Sequence, residues 1–191
     1  FRSANDFDNT RQKVWPYIEN FINSLNSGCL VGDIGCGNGK NMYLSRKDIT
    51  FKGIDFSTEF VKICKLKNLD VIEGNILNTP FNSDCFDNCI CIAVIHHISE
   101  RSDRIKAIEE LLRITKIGGK ILIYVWAFIQ PENAKRKFNT HDEMVPYKKI
   151  NGEIYYRYYH LYNQEELEDD IKQIKKYKIN IINSNYEYGN Y

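Results

Sequence analysis

The segment Asp33-Ile34-Gly35-Cys36-Gly37-Asn38-Gly39 constrains this chain more than any other. It follows an apolar, β-rich run at 29–34 and precedes a helix-like stretch at 39–45, so three alternate glycines occupy a strand-to-helix turn. Glycine there permits a tight turn and lets a ligand approach the backbone with no Cβ in the way. A dinucleotide fingerprint would need a third small residue at position 40, where the chain has Lys40. A P-loop would need Gly-Lys followed by Ser or Thr, and none is present. Nicotinamide, flavin and nucleoside-triphosphate readings are therefore disfavoured.

Around this turn, short apolar runs alternate with amphipathic stretches, the pattern of a parallel α/β sheet with crossover helices. Strands are expected at 29–34, 50–54, 69–73, 88–95 and 120–126, and helices at 39–45, 58–67 and 101–115. The last helix carries Ile105, Ile108, Leu111 and Leu112 on one face, with Gly118-Gly119 as its stop signal. Trp15-Pro16 opens an earlier amphipathic helix that would cover the sheet. Residues 127–157 are polar, basic in places (Lys135, Arg136, Lys137, Lys148, Lys149) and without clear period, which reads as a binding loop or lid. A helix at 164–177 begins with five acids in six residues, as the helix dipole favours. A sixth strand is expected at 178–184, and the approach to a seventh at 186–191. The chain reads as one domain over 1–191, with an N-terminal cover at 1–28 and a substrate-binding segment at 127–162.

Charge and cysteine usage narrow the class. With 26 Lys and Arg against 25 Asp and Glu, the net charge of +1 excludes a strongly cationic protein, so any nucleic-acid contact must come from a local patch. No run of about 18 apolar residues is present and the first residues carry no signal-peptide pattern, so a soluble, cytoplasmic or also nuclear protein is expected. The six cysteines lie mostly in apolar runs at irregular spacing, where Cys behaves as a small buried hydrophobe. No C-x-x-C pair accompanies them, so neither a disulfide framework nor a metal site is expected.

Asp33 opens the glycine turn, and Asp55 closes the next strand about twenty residues on, a placement suited to two ribose hydroxyls. At the end of the third strand, Asn75-Ile76 can pair with an adenine edge and cover its face. With Gly118-Gly119 before the fifth strand, these features resemble a class I S-adenosylmethionine-dependent methyltransferase. The resemblance implies a Rossmann-like sheet in the order 3-2-1-4-5-7-6, with strand seven antiparallel and, in this chain, possible truncation of that strand. It also implies S-adenosylmethionine as cofactor and S-adenosylhomocysteine as product. Asp33, Gly35, Cys36, Gly37, Asn38 and Gly39 would surround the amino-acid part, Asp55 with Phe56 and Ser57 the ribose, and Asn75 with Ile76 the adenine. Ala93 would lie under the cofactor.

The methyl acceptor is narrowed by what the chain lacks. No Asn/Asp-Pro-Pro-aromatic turn follows the fourth strand, which reads Ala93-Val94-Ile95-His96-His97, and no cysteine is a convincing nucleophile. The strings Asp8-Asn9-Thr10-Arg11, Trp15-Pro16, His96-His97, Val145-Pro146-Tyr147 and Arg157-Tyr158-Tyr159-His160 resemble the eukaryotic tRNA wobble-uridine carboxymethyl methyltransferases, shared with the methyltransferase domain of the AlkB-like tRNA enzyme. That resemblance implies methylation of the carboxylate of 5-carboxymethyluridine to give 5-methoxycarbonylmethyluridine. A carboxylate with a pKa near 4 is already ionised at neutral pH, so the transfer needs placement and not a general base. Arg11, His96 or His97, and Arg157 would orient that anion, while Tyr158, Tyr159 and His160 would stack on or hydrogen-bond the base and sugar.

The same resemblance implies two partners, the tRNA anticodon loop and a small zinc-binding activator subunit. The activator would add to the sheet edge at 69–73, with Phe51, Leu77 and Phe81 supplying an apolar patch and the zinc belonging to the partner. Two competing readings remain: a small-molecule O- or C-methyltransferase with 130–160 as a lid, and a non-catalytic cofactor- or tRNA-binding subunit.

Overall fold

A central sheet of five strands, in the order β3-β2-β1-β4-β5, organises the first of two units into which the chain divides in the computed structural model. The structure describes residues 14–44, 46–134, 136–148 and 153–191. The first unit comprises the described residues up to Ile92 together with Glu110–Leu122. The second comprises Ala93–Glu109 and Ile123–Tyr191.

In the first unit, Pro16 at the first turn opens α1 (Pro16–Asn23), whose Ile18 and Ile22 are buried. β1 (Leu30–Ile34) runs parallel to both β2 (Thr50–Asp55) and β4 (Phe86–Ile92), so it is central and nearly wholly buried, as its mostly apolar sequence, broken only at Asp33, allows. α2 (Lys40–Tyr43) follows the glycine turn, and α3 (Thr58–Leu66) is capped by the Ser57 hydroxyl. β3 (Val71–Glu73) pairs only with β2 and closes one side of the sheet. The loop beyond β3 is tied down by Glu110, whose Oε1 accepts from the Thr79 amide (2.8 Å) and hydroxyl (2.7 Å), while its Oε2 accepts from Arg113 Nε (2.7 Å). Burial opposes ionisation of Glu110, but Arg113 and Thr79 outweigh it and bring its pKa to about 2.

α4 (Arg101–Ile114) and β5 (Thr115–Tyr124) follow one another without a loop. Gly118 and Gly119 therefore lie inside the strand and are not the helix stop expected from sequence. β4 ends three residues earlier than expected, and the paired histidines sit on a 3₁₀ turn, Ile95–His97. Among the described residues no helix is long and apolar enough to cross a membrane.

The second unit holds the largest departure from expectation. Residues 127–157, expected to be irregular, contain most of an antiparallel hairpin, β6 (Asp142–Lys148) and β7 (Ile154–His160), paired through seven residues from Asp142↔His160 to Lys148↔Ile154. Val145, Tyr159 and Leu161 form its core, with Trp126, Phe128 and Phe138 packed against them. The helix expected at 164–177 is shorter, α5 (Glu166–Gln173). Residues 178–184, expected as a strand, lie outside any helix or strand. Val125 and Tyr191 exchange two backbone hydrogen bonds (2.8 and 2.9 Å), and Trp126 bridges Asn190 antiparallel, the direction expected of strand seven.

Candidate functional site

In the first unit the glycine turn is built on the central strand. The Gly35 and Cys36 amides both donate to the Ile54 carbonyl (2.8 and 3.0 Å), which folds the chain sharply back at the end of β1. Gly35, Gly37 and Gly39 have φ of 81°, 55° and 73°, a left-handed region that favours glycine. At Gly39 a second reason applies: a Cβ would come within 2.4 Å of Leu69 Cδ1 and 3.1 Å of Cys64 Sγ. The third glycine thus makes room for the protein's own packing.

Asp33, 1% exposed, sits at the end of β1 beneath this turn. Both of its carboxylate oxygens are buried and reach no partner of hydrogen-bond geometry among the described residues. Burial, then the charge of Asp55, push its pKa up to about 7, with Asn41 and Lys40 offsetting this only in part. Asp55 is held differently. One oxygen accepts from the Gly37 amide (2.8 Å) and the other from the Ser57 amide (2.9 Å). Burial still raises its pKa, against the pull of those two amides. Phe56 beside it is 68% exposed.

The other residues assigned to the cofactor fall on the same unit, except Ala93. Asn38 is buried, its Oδ1 accepting from the Lys40 amide (3.3 Å) and its carbonyl from Lys67 Nζ (3.1 Å). Ser57 spends its hydroxyl on the α3 cap. Asn75 is exposed, and its Oδ1 accepts from the Leu77 amide (2.9 Å), leaving one lone pair of that oxygen for a further donor. Ile76 beside it is half-buried. Cys36 is buried, and contact with the Cys64 thiol and burial raise its pKa. Burial also raises Cys29, Cys85, Cys89 and Cys91, Cys89 to about 12, so none of these thiols is an activated nucleophile.

In the second unit, Ala93 follows directly on β4 with φ 60°, a conformation an L-residue adopts at a cost of about 1 kcal/mol or more. His96 is 1% exposed and stacks on Tyr159, ring centroids 5.0 Å apart and 17° from parallel. Its Nδ1 accepts from the Trp126 amide (3.1 Å), which leaves the hydrogen of the neutral ring on Nε2. That Nε2 is buried with no partner among the described residues. Burial, then His97 and His160, hold the His96 pKa well below the usual histidine range. His96 is therefore a neutral hydrogen-bond donor. His97 has an open surface, and its Nδ1 donates to the Tyr158 carbonyl (3.0 Å); crowding around the ring lowers its pKa as well.

The hairpin residues divide by face. Tyr159, expected to contact a base, is 9% exposed and packs against His96, His97 and Trp126. It is a wall of this unit and offers no open ring face. Tyr158 donates its hydroxyl to Asp142, and burial followed by that carboxylate pushes its pKa up to about 12. His160 is clamped from both sides, Nδ1 on Asp142 Oδ1 (2.9 Å) and Nε2 on Glu166 Oε1 (2.6 Å). Burial opposes its protonation, but Glu166 and Asp142 together raise its pKa. Its ring holds the hairpin to α5. Arg157 is half-buried on β7, opposite Val145. Arg11 lies outside the described residues, as do Lys135 and Lys149.

Sequence reasoning missed the acids that hold this unit together. Asp142 was not singled out, and Glu166 and Asp170 were read only as part of a dipole-favoured helix start. Asp170 is wholly buried and accepts from Arg101 Nε (2.7 Å). Arg104, 4% exposed, donates to the Ile98 and Ser99 carbonyls (3.2 and 2.7 Å) and lies over the Tyr162 ring. The three- and four-residue spacing of Arg101, Arg104 and Ile108 on α4 was the available signal.

Comparison with known proteins decides the family. Residues 32–123 match a family described as a methyltransferase domain. The chain is 35% identical to the tRNA (carboxymethyluridine(34)-5-O)-methyltransferase of Schizosaccharomyces pombe, over 87% of this chain and 81% of that protein. The chain belongs to the tRNA (carboxymethyluridine(34)-5-O)-methyltransferase family. It is also 44% identical to the alkbh8 tRNA (carboxymethyluridine(34)-5-O)-methyltransferase of Xenopus tropicalis, over 70% of this chain but 21% of that protein, so it spans about a fifth of that relative's length. In fold it resembles a Haloferax volcanii methyltransferase solved in complex with the Trm112 methyltransferase activator, with a TM-score of 0.55 and 22% identity over 65% of this chain and 58% of that one.

Methyltransferases of this kind depend on S-adenosylmethionine, and the first unit fits it. The cofactor carries an ammonium group, two ribose hydroxyls and an adenine. Asp33 is a buried carboxylate whose charge Lys40 and Asn41 offset only in part, and a cationic ammonium suits it. Each Asp55 oxygen uses one of its lone pairs on a backbone amide and keeps another for a hydroxyl. The exposed Phe56 ring next to it offers an apolar face.

Proposed function

We propose that this protein transfers a methyl group from S-adenosylmethionine to the carboxylate of 5-carboxymethyluridine at the tRNA wobble position, forming 5-methoxycarbonylmethyluridine. The observation that carries this reading is the protonation state of His96. Its Nδ1 already accepts a hydrogen bond and its Nε2 holds the hydrogen, so it can donate to an anion but cannot take a proton from an acceptor. With the thiols of Cys29, Cys36, Cys85, Cys89 and Cys91 held up in pKa and Tyr158 at about 12, this suits an acceptor that arrives already ionised.

When bound, the cofactor supplies an electrophilic methyl group on a sulfonium. Asp33 and Asp55 would anchor its ammonium and ribose, with Asn75 and Ile76 at the adenine. Arg157 and Arg11 would grip the acceptor carboxylate, and His96 would donate to it. Tyr158 and His160 would hold the hairpin in register through Asp142 and so position Arg157. The free state of all six cysteines supports a reducing compartment, and we assign the protein to the cytoplasm.

The test uses tRNA carrying carboxymethyluridine, with mass spectrometry of the wobble nucleoside. Cofactor-dependent gain of one methyl group is expected. Arg157→Ala should abolish ester formation while calorimetry finds cofactor affinity nearly unchanged, and retained turnover in that variant would remove Arg157 from the acceptor site.

We further propose that a small zinc-binding activator adds a strand at the open side of β3. Ile72 is 38% exposed there, and Leu66 at the end of the adjoining α3 is 85% exposed. The apolar patch expected nearby needs revision: Phe51 is buried in the core and Phe81 packs edge-on against Phe86 (4.9 Å), so Ile72 and Leu66 supply the surface in their place. Co-expression with the activator should raise soluble yield and activity. Equal values for the protein alone would sink this part.

A further inference from the structure

On one face of the hairpin Val145 and Tyr159 are packed; on the other, His160 and Asp142 at one end are tied to α5 and the remainder is exposed. Because successive side chains on a strand point to opposite sides, and directly opposed residues share a side, Met144, Pro146, Ile154, Tyr156 and Tyr158 occupy one face. Val145 and Tyr159, on the other face, are 2% and 9% exposed. Met144, Ile154 and Tyr156 are 56%, 54% and 62% exposed. An apolar and aromatic row of this kind has no packing role inside the unit that displays it, and large exposed apolar patches mark interaction surfaces.

The charge beside this row is positive. Residues 127–162 carry six Lys and Arg against four Asp and Glu, while the rest of the chain has 20 against 21. Three of those four acids are already engaged: Asp142 accepts from Tyr158 and His160, Glu143 accepts the Asn139 and Thr140 amides, and Glu153 accepts from the Tyr155 hydroxyl. Exposed Arg136 donates from Nη2 to the Pro146 carbonyl (2.8 Å), which sets a cation beside the cross-strand partner of Tyr156. Exposed Lys137 follows it in sequence and bonds the Gln130 carbonyl (3.4 Å). A ring with an open π-face beside fixed cations matches single-stranded RNA, whose bases stack and whose phosphates need counter-charge.

We propose that the outward face of this hairpin, with Tyr156 at its centre, Met144 and Ile154 on either side and Arg136 at its rim, stacks against unpaired bases of the tRNA anticodon loop. This deepens the function proposed above and rests on it for the identity of the RNA. The stacking surface is distinct from the residues assigned to the acceptor carboxylate, so it can be probed without touching them.

The probe is an anticodon stem-loop RNA with plain uridine at the wobble position, titrated into the intact protein by fluorescence anisotropy at several salt concentrations. Tyr156→Ala should weaken binding about tenfold and Met144→Ala about threefold. Tyr156→Phe should bind as wild type, because stacking needs the ring and not the hydroxyl. Arg136→Ala should weaken binding and lower the salt slope by about one. Ile182→Ala, exposed elsewhere in the same unit, is the control and should change nothing. Unchanged RNA affinity in Tyr156→Ala overturns the proposal, and so does a loss confined to self-association or to a co-purifying protein. The two readings separate cleanly. If wild type forms no ester but the affinity losses appear, the acceptor assignment falls and the surface stands; if ester forms and the losses do not appear, the reverse holds.

Discussion

Two regions of this molecule gather carboxylates around a charge, and they treat them in opposite ways. Under the glycine turn, Asp33 is buried with its charge only partly offset by Lys40, and its pKa climbs to about 7. At the junction of the hairpin and α5, Asp142 and Glu166 close on His160, and the pKa values of both acids fall below the usual carboxylate range. Both regions hold concentrated charge, but only the first leaves it unbalanced. A buried group whose balance is missing inside the chain is a group reserved for a ligand, whereas a balanced cluster is architecture. By that criterion we propose Asp33 as a ligand-binding carboxylate, and His160, despite its place in a motif that resembles an acceptor site, as a strut.

The sharpest way to break the comparison is Asp33→Asn. The unfolded carboxylate loses its proton near pH 3.8 and the folded one near 7, so between those values the folded state binds more protons and stability falls as pH rises. The Asp33 contribution to the stability of the wild-type protein without cofactor should therefore fall by up to about 4 kcal/mol between pH 4 and 7 and be flat above. The amide variant should remove this dependence in urea denaturation and be the more stable protein at pH 8, while its cofactor affinity drops at least about a hundredfold by calorimetry. A variant that binds cofactor normally would make Asp33 architectural after all.

His160→Ala sharpens the other side with a smaller effect. Here the folded pKa is raised, so the stabilisation is fully present below about pH 6.5 and is lost as pH rises through the folded value. The substitution should cost roughly 2 kcal/mol at pH 6 and visibly less at pH 9. Its effect on cofactor binding should be negligible. A cost that does not change with pH would mean that packing, and not the double carboxylate clamp, holds the ring.

The difference between the regions also explains how much could be read in advance. The strand-turn-helix around Gly35, Gly37 and Gly39 and the acid closing β2 follow from local signals, apolar runs and alternate glycines, while the order of the five strands follows from the family resemblance that those signals carry. The hairpin was missed because its pattern is not local. Tyr155, Tyr156, Tyr158 and Tyr159 put aromatic rings on both faces, which erases the alternation that marks a half-buried strand, and Pro146 argues against a strand unless it lies at an edge. Residues 178–184 show the converse error. Their composition suits a strand, but strand formation requires a partner, and composition alone supplies none. His160 was legible as a residue of interest, yet its partners are 18 and six positions away, and nothing in sequence announces that both are carboxylates.

The two amides on Asp55 have a further consequence for the thermodynamics of ligand capture. A carboxylate that must stop rotating when a ligand arrives loses about 0.5–1.5 kcal/mol of side-chain entropy at that moment. Asp55 has already stopped, pinned by Gly37 on one oxygen and Ser57 on the other, so that loss was met during folding. The glycine turn and the α3 cap, which look like devices for shaping the backbone, thereby act as a brake on a single torsion angle and leave the acid ready to receive hydroxyls without rearrangement.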